Sequence, residues 1–274
     1  MALNFNLNFF DEFENKNDIQ TIAHRGYSVE APENTMSAFF AAKENGYSTI
    51  EFDVQWTKDS APVVLHDKTI NRTARNEDGS KIFFNKKCEN LTYEELLNYD
   101  FGIYKSEEYK SEKIPLFDEV IDFAKDNEMD LYIELKETKD FSEDKAKILV
   151  DSVIEADLED NVTWISFEKD YLKEITELLP DARLGYLSDK KVSKKTIKTL
   201  KDLKTQDNEV FLDIKASKIN QQGAKLLEQD NFSFESWTVN DYNDFSKVQS
   251  LNCSAITTDM LLDSDIAQFL SEIN

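Results

Sequence analysis

Eight short β-rich runs, separated by amphipathic stretches between residues 20 and 258, constrain this chain more than any other feature. They read QTIAH (20–24), STIEFDV (48–54), LYIELK (131–136), VTWISF (162–167), RLGYL (183–187), VFLDI (210–214), FESWTV (234–239) and AITT (255–258). Between them, segments such as LFDEVIDFAKDNE, DYLKEITELLP and TIKTLKDLK repeat apolar residues at three- and four-residue steps, as a helix with one buried face does. The alternation predicts βα units around a parallel sheet. Eight units in 274 residues suit a TIM (β/α)8 barrel, for which about 250 residues is typical.

One further apolar run, PVVLH (62–66), follows the second predicted strand after only a few residues around TKDSA. A parallel crossover needs about a dozen residues or more, so this run must return antiparallel as a hairpin. With the turn near Asp59, His66 comes back to the level of Asp53. The long irregular segment that follows, about 68–115, reads as an insertion over the barrel mouth. No internal repeat or low-complexity linker suggests a second domain, so residues 1–274 are expected to form one.

The net charge of −23 would repel a phosphate backbone or an anionic bilayer, which argues against nucleic acid and stable membrane anchoring. An anionic ligand would need a metal ion or a local group of cations to invert the field. Cys88 and Cys253 are too few for a disulfide framework and read as reduced packing residues. The first 18 residues show no basic region leading into an apolar one, and no long apolar run occurs, so the expected location is cytoplasmic unless a leader has been trimmed.

In such a barrel the chemistry sits at the carboxyl ends of the strands. His24 and Arg25 end the first predicted strand, Glu51 and Asp53 the second, Glu134 and Lys136 the third. Side chains two apart share a face, so Glu51, Asp53, Glu134 and Lys136 should point into the lumen. Three carboxylates there raise one another's pKa unless a cation intervenes. Oxygen donors without thiolates describe a hard-cation site, one Mg²⁺ or Ca²⁺. The bland alternative pairs these acids with Lys136 or Arg25 as core salt bridges.

The only two histidines, His24 and His66, converge on the same place and can divide proton removal and donation near neutral pH. Arg25, one of four arginines, has a fork suited to a tetrahedral oxyanion, with Lys136 as a second positive charge. Trp237 and Phe167 suit barrel packing or the pocket wall, and Trp237 is carried as a substrate-binding candidate. The proline of APENT precedes a helix expected near Asn34, with Glu33 as first-turn charge.

The segments AHRGYSVEAPENTMSAFFAA, IEFDVQWTKDSAPVVLHDKTINRTA, LTYEELLNYDFG, IPLFDEVIDFAK, YIELK, WTVN and ITTD resemble, in order, those of the glycerophosphodiester phosphodiesterase family. The resemblance implies a metal-dependent TIM barrel that hydrolyses diesters such as glycerophosphocholine or glycerophosphoethanolamine to glycerol 3-phosphate and an alcohol. It implies Glu51, Asp53 and Glu134 as metal ligands, His24 and His66 as the general acid and base, and Arg25 and Lys136 as the phosphate clamp. The preferred division makes His24 the base and His66 the acid. Leu116 and Phe117 stand where the family usually shows a threonine and a leucine, and RTARNEDG lengthens a turn. Both bear on substrate preference. Rival readings are a lysophospholipase D or phospholipase-C-like enzyme on the same barrel, and a barrel that binds a metal and a phosphopolyol without turnover.

Overall fold

Each of the eight β-rich runs forms a strand of one closed barrel in the computed structural model, which describes residues 19–138 and 141–261. The elements in chain order are β1 (Gln20–His24), α1 (Met36–Glu44), β2 (Thr49–Trp56), β3 (Pro62–Val64), β4 (Arg75–Asn76), α2 (Tyr93–Leu96), β5 (Tyr99–Asp100), α3 (Phe117–Asn127), β6 (Asp130–Leu135), α4 (Glu143–Glu155), β7 (Val162–Ser166), α5 (Lys169–Leu178), β8 (Arg183–Ser188), α6 (Lys194–Leu203), β9 (Glu209–Lys215), α7 (Gln221–Gln229), β10 (Phe234–Trp237), α8 (Tyr242–Gln249) and β11 (Ala255–Thr258). The barrel runs β1, β2, β6, β7, β8, β9, β10, β11 and closes back on β1, every neighbour parallel. The amino-terminal stretch read for a leader lies outside the described residues. Among the described residues no helix is long and apolar enough to cross a membrane.

The helices bury one stripe against the outside of the sheet. On α6, Ile197, Leu200 and Leu203 are buried at three-residue steps, and the main apolar core lies in this layer. A smaller cluster fills the lumen, where Ile22, Tyr132, Ile165, Leu187, Phe211 and Ala255 meet. Gly185 makes room for it: a Cβ there would stand 2.7 Å from both Ile165 Cγ2 and Phe211 Cζ.

The run PVVLH returns as expected. β3 pairs antiparallel with β2, Val54 opposite Val64 and Trp56 opposite Pro62. Thr57 N donates to Ala61 O to close the turn, and Leu65 N donates to Asp53 O at 2.9 Å, so His66 follows immediately beside the end of β2. Between β3 and α3 the chain builds its own apolar cluster from Val63, Leu65, Ile70, Ala74, Cys88, Leu96, Phe101 and Ile114, with β4 and β5 as a two-residue antiparallel pair. Several boundaries shift by a residue or two from the sequence expectation, and two of the shifts bear on the site. Helix α1 begins at Met36 because Asn34 is left-handed, with φ of 58°, and the Thr35 side chain caps the Ala38 N–H. Strand β10 stops at Trp237, where the peptide bond to Thr238 is cis.

Candidate active site

The loop after β1 sets the first pair of groups. Arg25 and Gly26 both have positive φ, 59° and 77°. A Cβ on Gly26 would come within 2.7 Å of Ala38 backbone and side-chain atoms, so only glycine lets the loop lie against α1. This turn aims the Arg25 N–H at Glu51 Oε2, 2.9 Å away, and leaves the His24 ring at the rim. His24 Nε2 is 4.0 Å from the same Glu51 oxygen.

Glu51, Asp53 and Glu134 are all buried, and each can offer one oxygen so that the three lie within 4.8 Å of one another. Parallel pairing of β2 with β6 puts Asp53 directly beside Glu134. Two cations stand among them. Lys136 Nζ is 2.6 Å from Glu134 Oε1 and 2.9 Å from Asp53 Oδ1, and Arg25 Nε is 3.3 Å from Asp53 Oδ2. The acids are therefore partly paired, as the bland reading required, but not satisfied. Glu51 Oε1 remains buried without a partner, and Asp53 Oδ1 has only the Lys136 ammonium.

Electrostatics divide the three acids. Burial, with Asp53 and Glu134 as like charges, drives Glu51 well above the ordinary carboxylate range. Burial also pushes Glu134 up to about 7 against the pull of Lys136. Asp53 goes the other way: burial opposes it, but Lys136 and Arg25 together hold it well below its usual value. Two buried carboxyls that resist ionising, an orphaned Glu51 oxygen and a donor set of oxygen alone fit a divalent hard cation. Such an ion would let all three ionise together.

Both imidazoles are oriented by carboxylates that sequence reasoning did not single out. His24 Nδ1 is 2.6 Å from Asp259 Oδ1, and His66 Nδ1 is 2.7 Å from Asp67 Oδ1. Asp259 also accepts from Ser28 Oγ and from Asn240 Nδ2, which gives the WTVN and ITTD segments a shared task. Burial would raise Asp259, but His24 and these donors bring it down to about 2. Burial lowers His66, with Asp53 opposing, so its neutral form is favoured.

Glu33 is more than first-turn charge. Its two oxygens take Arg25 Nη1 at 2.7 Å and Arg72 Nη1 at 2.5 Å, and Arg72 continues to Asp67 through Nε at 2.7 Å. A chain of charges thus runs from Asp53 through Arg25, Glu33, Arg72 and Asp67 to His66. Asn34 braces Asp53 from the other side, Nδ2 to Oδ2 at 2.7 Å.

These groups surround a cavity of about 160 Å³ lined by His24, Arg25, Glu51, His66, Glu134, Lys136, Phe167, Asp213 and Trp237 among others. It is smaller than the roughly 300 Å³ at which drug-sized pockets begin, so it suits a small polar ligand. Trp237 and Phe167 meet edge to face at 5.7 Å on its wall, and Trp237 Nε1 donates to Asp213 O. Asp213, passed over in VFLDI, is buried with Oδ1 unbonded, and burial beside Glu235 and Glu134 drives it well above the usual range. A wider groove of about 510 Å³ adjoins, sharing His66, Glu134, Lys136 and Phe167 and running past Asp67, Lys68 and Thr69.

Fold and site together define a (β/α)8 barrel with an acid cluster and two carboxylate-held imidazoles at its open rim. The profile of the Glycerophosphoryl diester phosphodiesterase family matches residues 24–262, and the chain belongs to that family. It is similar to the glycerophosphodiester phosphodiesterase of Caldanaerobacter subterraneus subsp. tengcongensis, 36% identical over 61% of this chain and 65% of that one. The match thus spans just under two thirds of that relative. The glycerophosphodiester phosphodiesterase of Bacillus altitudinis is 30% identical over 86% of this chain and 93% of its own. Among solved structures, an Oleispira antarctica phosphodiesterase in complex with the product sn-glycerol 3-phosphate superposes with a TM-score of 0.75 at 25% identity, covering 92% of this chain and 96% of that one.

Proposed function

We propose that the protein hydrolyses glycerophosphodiesters, with glycerophosphocholine and glycerophosphoethanolamine as candidate substrates, to glycerol 3-phosphate and an alcohol. The observation that carries this reading is the convergence of both imidazoles, three buried acids and two cations on one small cavity. Glu51, Asp53 and Glu134 would hold one divalent cation, Mg²⁺ or Ca²⁺, which when bound supplies Lewis-acid charge at the phosphate. Arg25 and Lys136 bind the phosphoryl oxygens, adding fixed positive charge where negative charge builds in the transition state. Trp237 and Phe167 exclude water from one wall.

Proton transfer falls to the histidines. The division proposed here reverses the sequence preference. His66, kept neutral by burial, takes the proton from the attacking water or neighbouring glycerol hydroxyl, and His24, whose Nδ1 is held by Asp259, protonates the departing alkoxide at Nε2. Where the hydroxyl attacks, the alcohol leaves behind a cyclic phosphate that water then opens to glycerol 3-phosphate with the two roles exchanged. Residues 68–115 form a cover on a single domain, and the adjoining groove receives the leaving alcohol.

Phosphorus NMR of a diester panel, with and without EDTA, tests substrate, product and metal dependence together. Release of glycerol 3-phosphate that stops with EDTA and in His24→Ala and His66→Ala is expected. Turnover unchanged in both variants contradicts the assignment. A lysophospholipid in the panel separates the lysophospholipase D reading, which the open groove favours, and an intact diester bound through long incubation supports the non-catalytic one.

A further inference from the structure

Residues 81–87, KIFFNKK, contain three lysines and no acid in a chain of net charge −23. At their centre Phe83 is 91% and Phe84 84% exposed, the two most exposed large apolar side chains among the described residues. They do not project from a loose strand of chain. Asn71 Nδ2 donates to Ile82 O at 3.1 Å and to Phe84 O at 2.9 Å, while Asn71 Oδ1 accepts Lys86 N at 2.8 Å. Lys86 O in turn accepts Ile70 N, and Lys68 O accepts Cys88 N. One asparagine and a short ladder therefore hold two phenyl rings out in water.

The loop's place in the fold matters as much as its composition. It runs antiparallel to residues 68–70, with Thr69 opposite Lys87, and Lys68 and Thr69 line the groove that leads to His66 and Lys136. Of nine exposed large apolar residues among the described ones, six (Val29, Phe83, Phe84, Phe167, Tyr242 and Met260) follow the carboxyl ends of barrel strands or lie in the insertion there. The mouth thus carries an apolar rim.

We propose that this loop docks the barrel mouth onto a phospholipid surface, the Phe83 and Phe84 rings entering the acyl boundary and the lysines facing headgroup phosphates. Charge selects this partner over a second copy of the chain. In a two-fold contact the same lysines would face each other, and two copies of a strongly acidic chain repel. At a bilayer the distant acids are screened beyond about 8 Å in physiological salt, so the charge of the rest of the chain does not outweigh the loop's lysines. Lys87 is 3.0 Å from Glu89, Lys86 lies over the Tyr99 ring, and Glu77 and Asp78 lie in the preceding turn, so the rings carry most of the contact and it is weak and reversible. The docking needs no turnover and stands apart from the proposed reaction.

Sedimentation of the full chain with vesicles of two parts phosphatidylcholine to one part phosphatidylglycerol, in EDTA, tests it. The parent chain should co-sediment, and Phe83→Ser with Phe84→Ser should lower the bound fraction about tenfold while leaving diester turnover in solution intact. Lys81→Gln with Lys87→Gln should lower it severalfold, as should high salt. Failure of the parent to sediment, or equal sedimentation of the double phenylalanine variant, overturns the proposal. So does a dimer in vesicle-free solution that the double phenylalanine variant converts to monomer, since the rings would then cover each other.

Discussion

The two ends of the barrel lumen hold similar charged groups and use them differently. At the closed end Arg183 reaches Glu235 Oε1 and Tyr132 Oη, each at 2.5 Å, and Thr163 Oγ1 at 3.0 Å, with its guanidinium 4.4 Å from the Phe211 ring centroid. One cation there serves one buried acid within a hydrogen-bonded plug. At the open rim three buried acids share Lys136 and Arg25, and Glu33 draws Arg25 away as well. Arg183 pairs Glu235 through Oε1 and leaves Oε2 without a hydrogen bond, one cation to one buried acid, whereas the rim is left with more acids than cations. An acid in a lumen, even with one oxygen unbonded, is therefore no sign of function by itself; an excess of buried acids over the cations among them is.

The largest effect expected from breaking this contrast is at the histidines. His24→Ala and His66→Ala should each lower kcat for a glycerophosphodiester on the order of 10² to 10⁴-fold with little change in melting temperature. The double variant should cost far less than the product of the two, because the groups act as a unit. The closed end should behave in the opposite sense. Arg183→Met leaves Glu235 buried without its cation and should cost about 3–5 kcal/mol of stability by denaturant unfolding, while the folded fraction keeps its KM.

A pH titration of stability sharpens the comparison. In the metal-free protein burial pushes the Glu134 carboxyl up to about 7 from its ordinary 4.5. Between those values the folded form keeps a proton that the unfolded chain has released. Stability therefore falls as pH rises through this window and levels above it, a change on the order of 3 kcal/mol. Glu134→Gln should flatten that slope, and a saturating divalent cation should reverse it, because binding requires the ionised acids. A slope identical in parent and variant would remove Glu134 from the account. The smallest effect expected is at Arg72, which touches neither the cavity nor the three clustered acids Glu51, Asp53 and Glu134 but joins Glu33 to Asp67. Arg72→Ala should lower kcat roughly tenfold and shift the pH profile of turnover, with Arg72→Lys recovering part of both. A change in stability alone would make Arg72 merely structural.

The barrel was legible because β-rich runs and amphipathic stretches alternate with little interruption, and the hairpin because its loop is too short for a crossover. The acids of β2 and β6 and the two histidines were legible from strand ends alone. Their orienting partners were not. Asp259 stands 235 residues from His24 and meets it only through the pairing of β1 with β11 that closes the barrel. Arg72 lies in an irregular segment with no periodicity to place it, so the pairing that makes Glu33 part of the site had no local signal. Asp213 sits in a run that reads as any buried strand; only the missing hydrogen bond at its oxygen sets it apart. Sequence pattern reports which face a residue occupies, whereas these roles depend on which distant strand supplies its neighbour.

The most direct test is calorimetric titration of Mg²⁺ or Ca²⁺ into metal-stripped protein. One ion should bind per chain with release of protons, and Glu51→Gln or Asp53→Asn should weaken binding about a hundredfold or more. Equal affinity in parent and variants, or no binding by the parent at any pH where it is folded, would contradict a rim assembled around a cation.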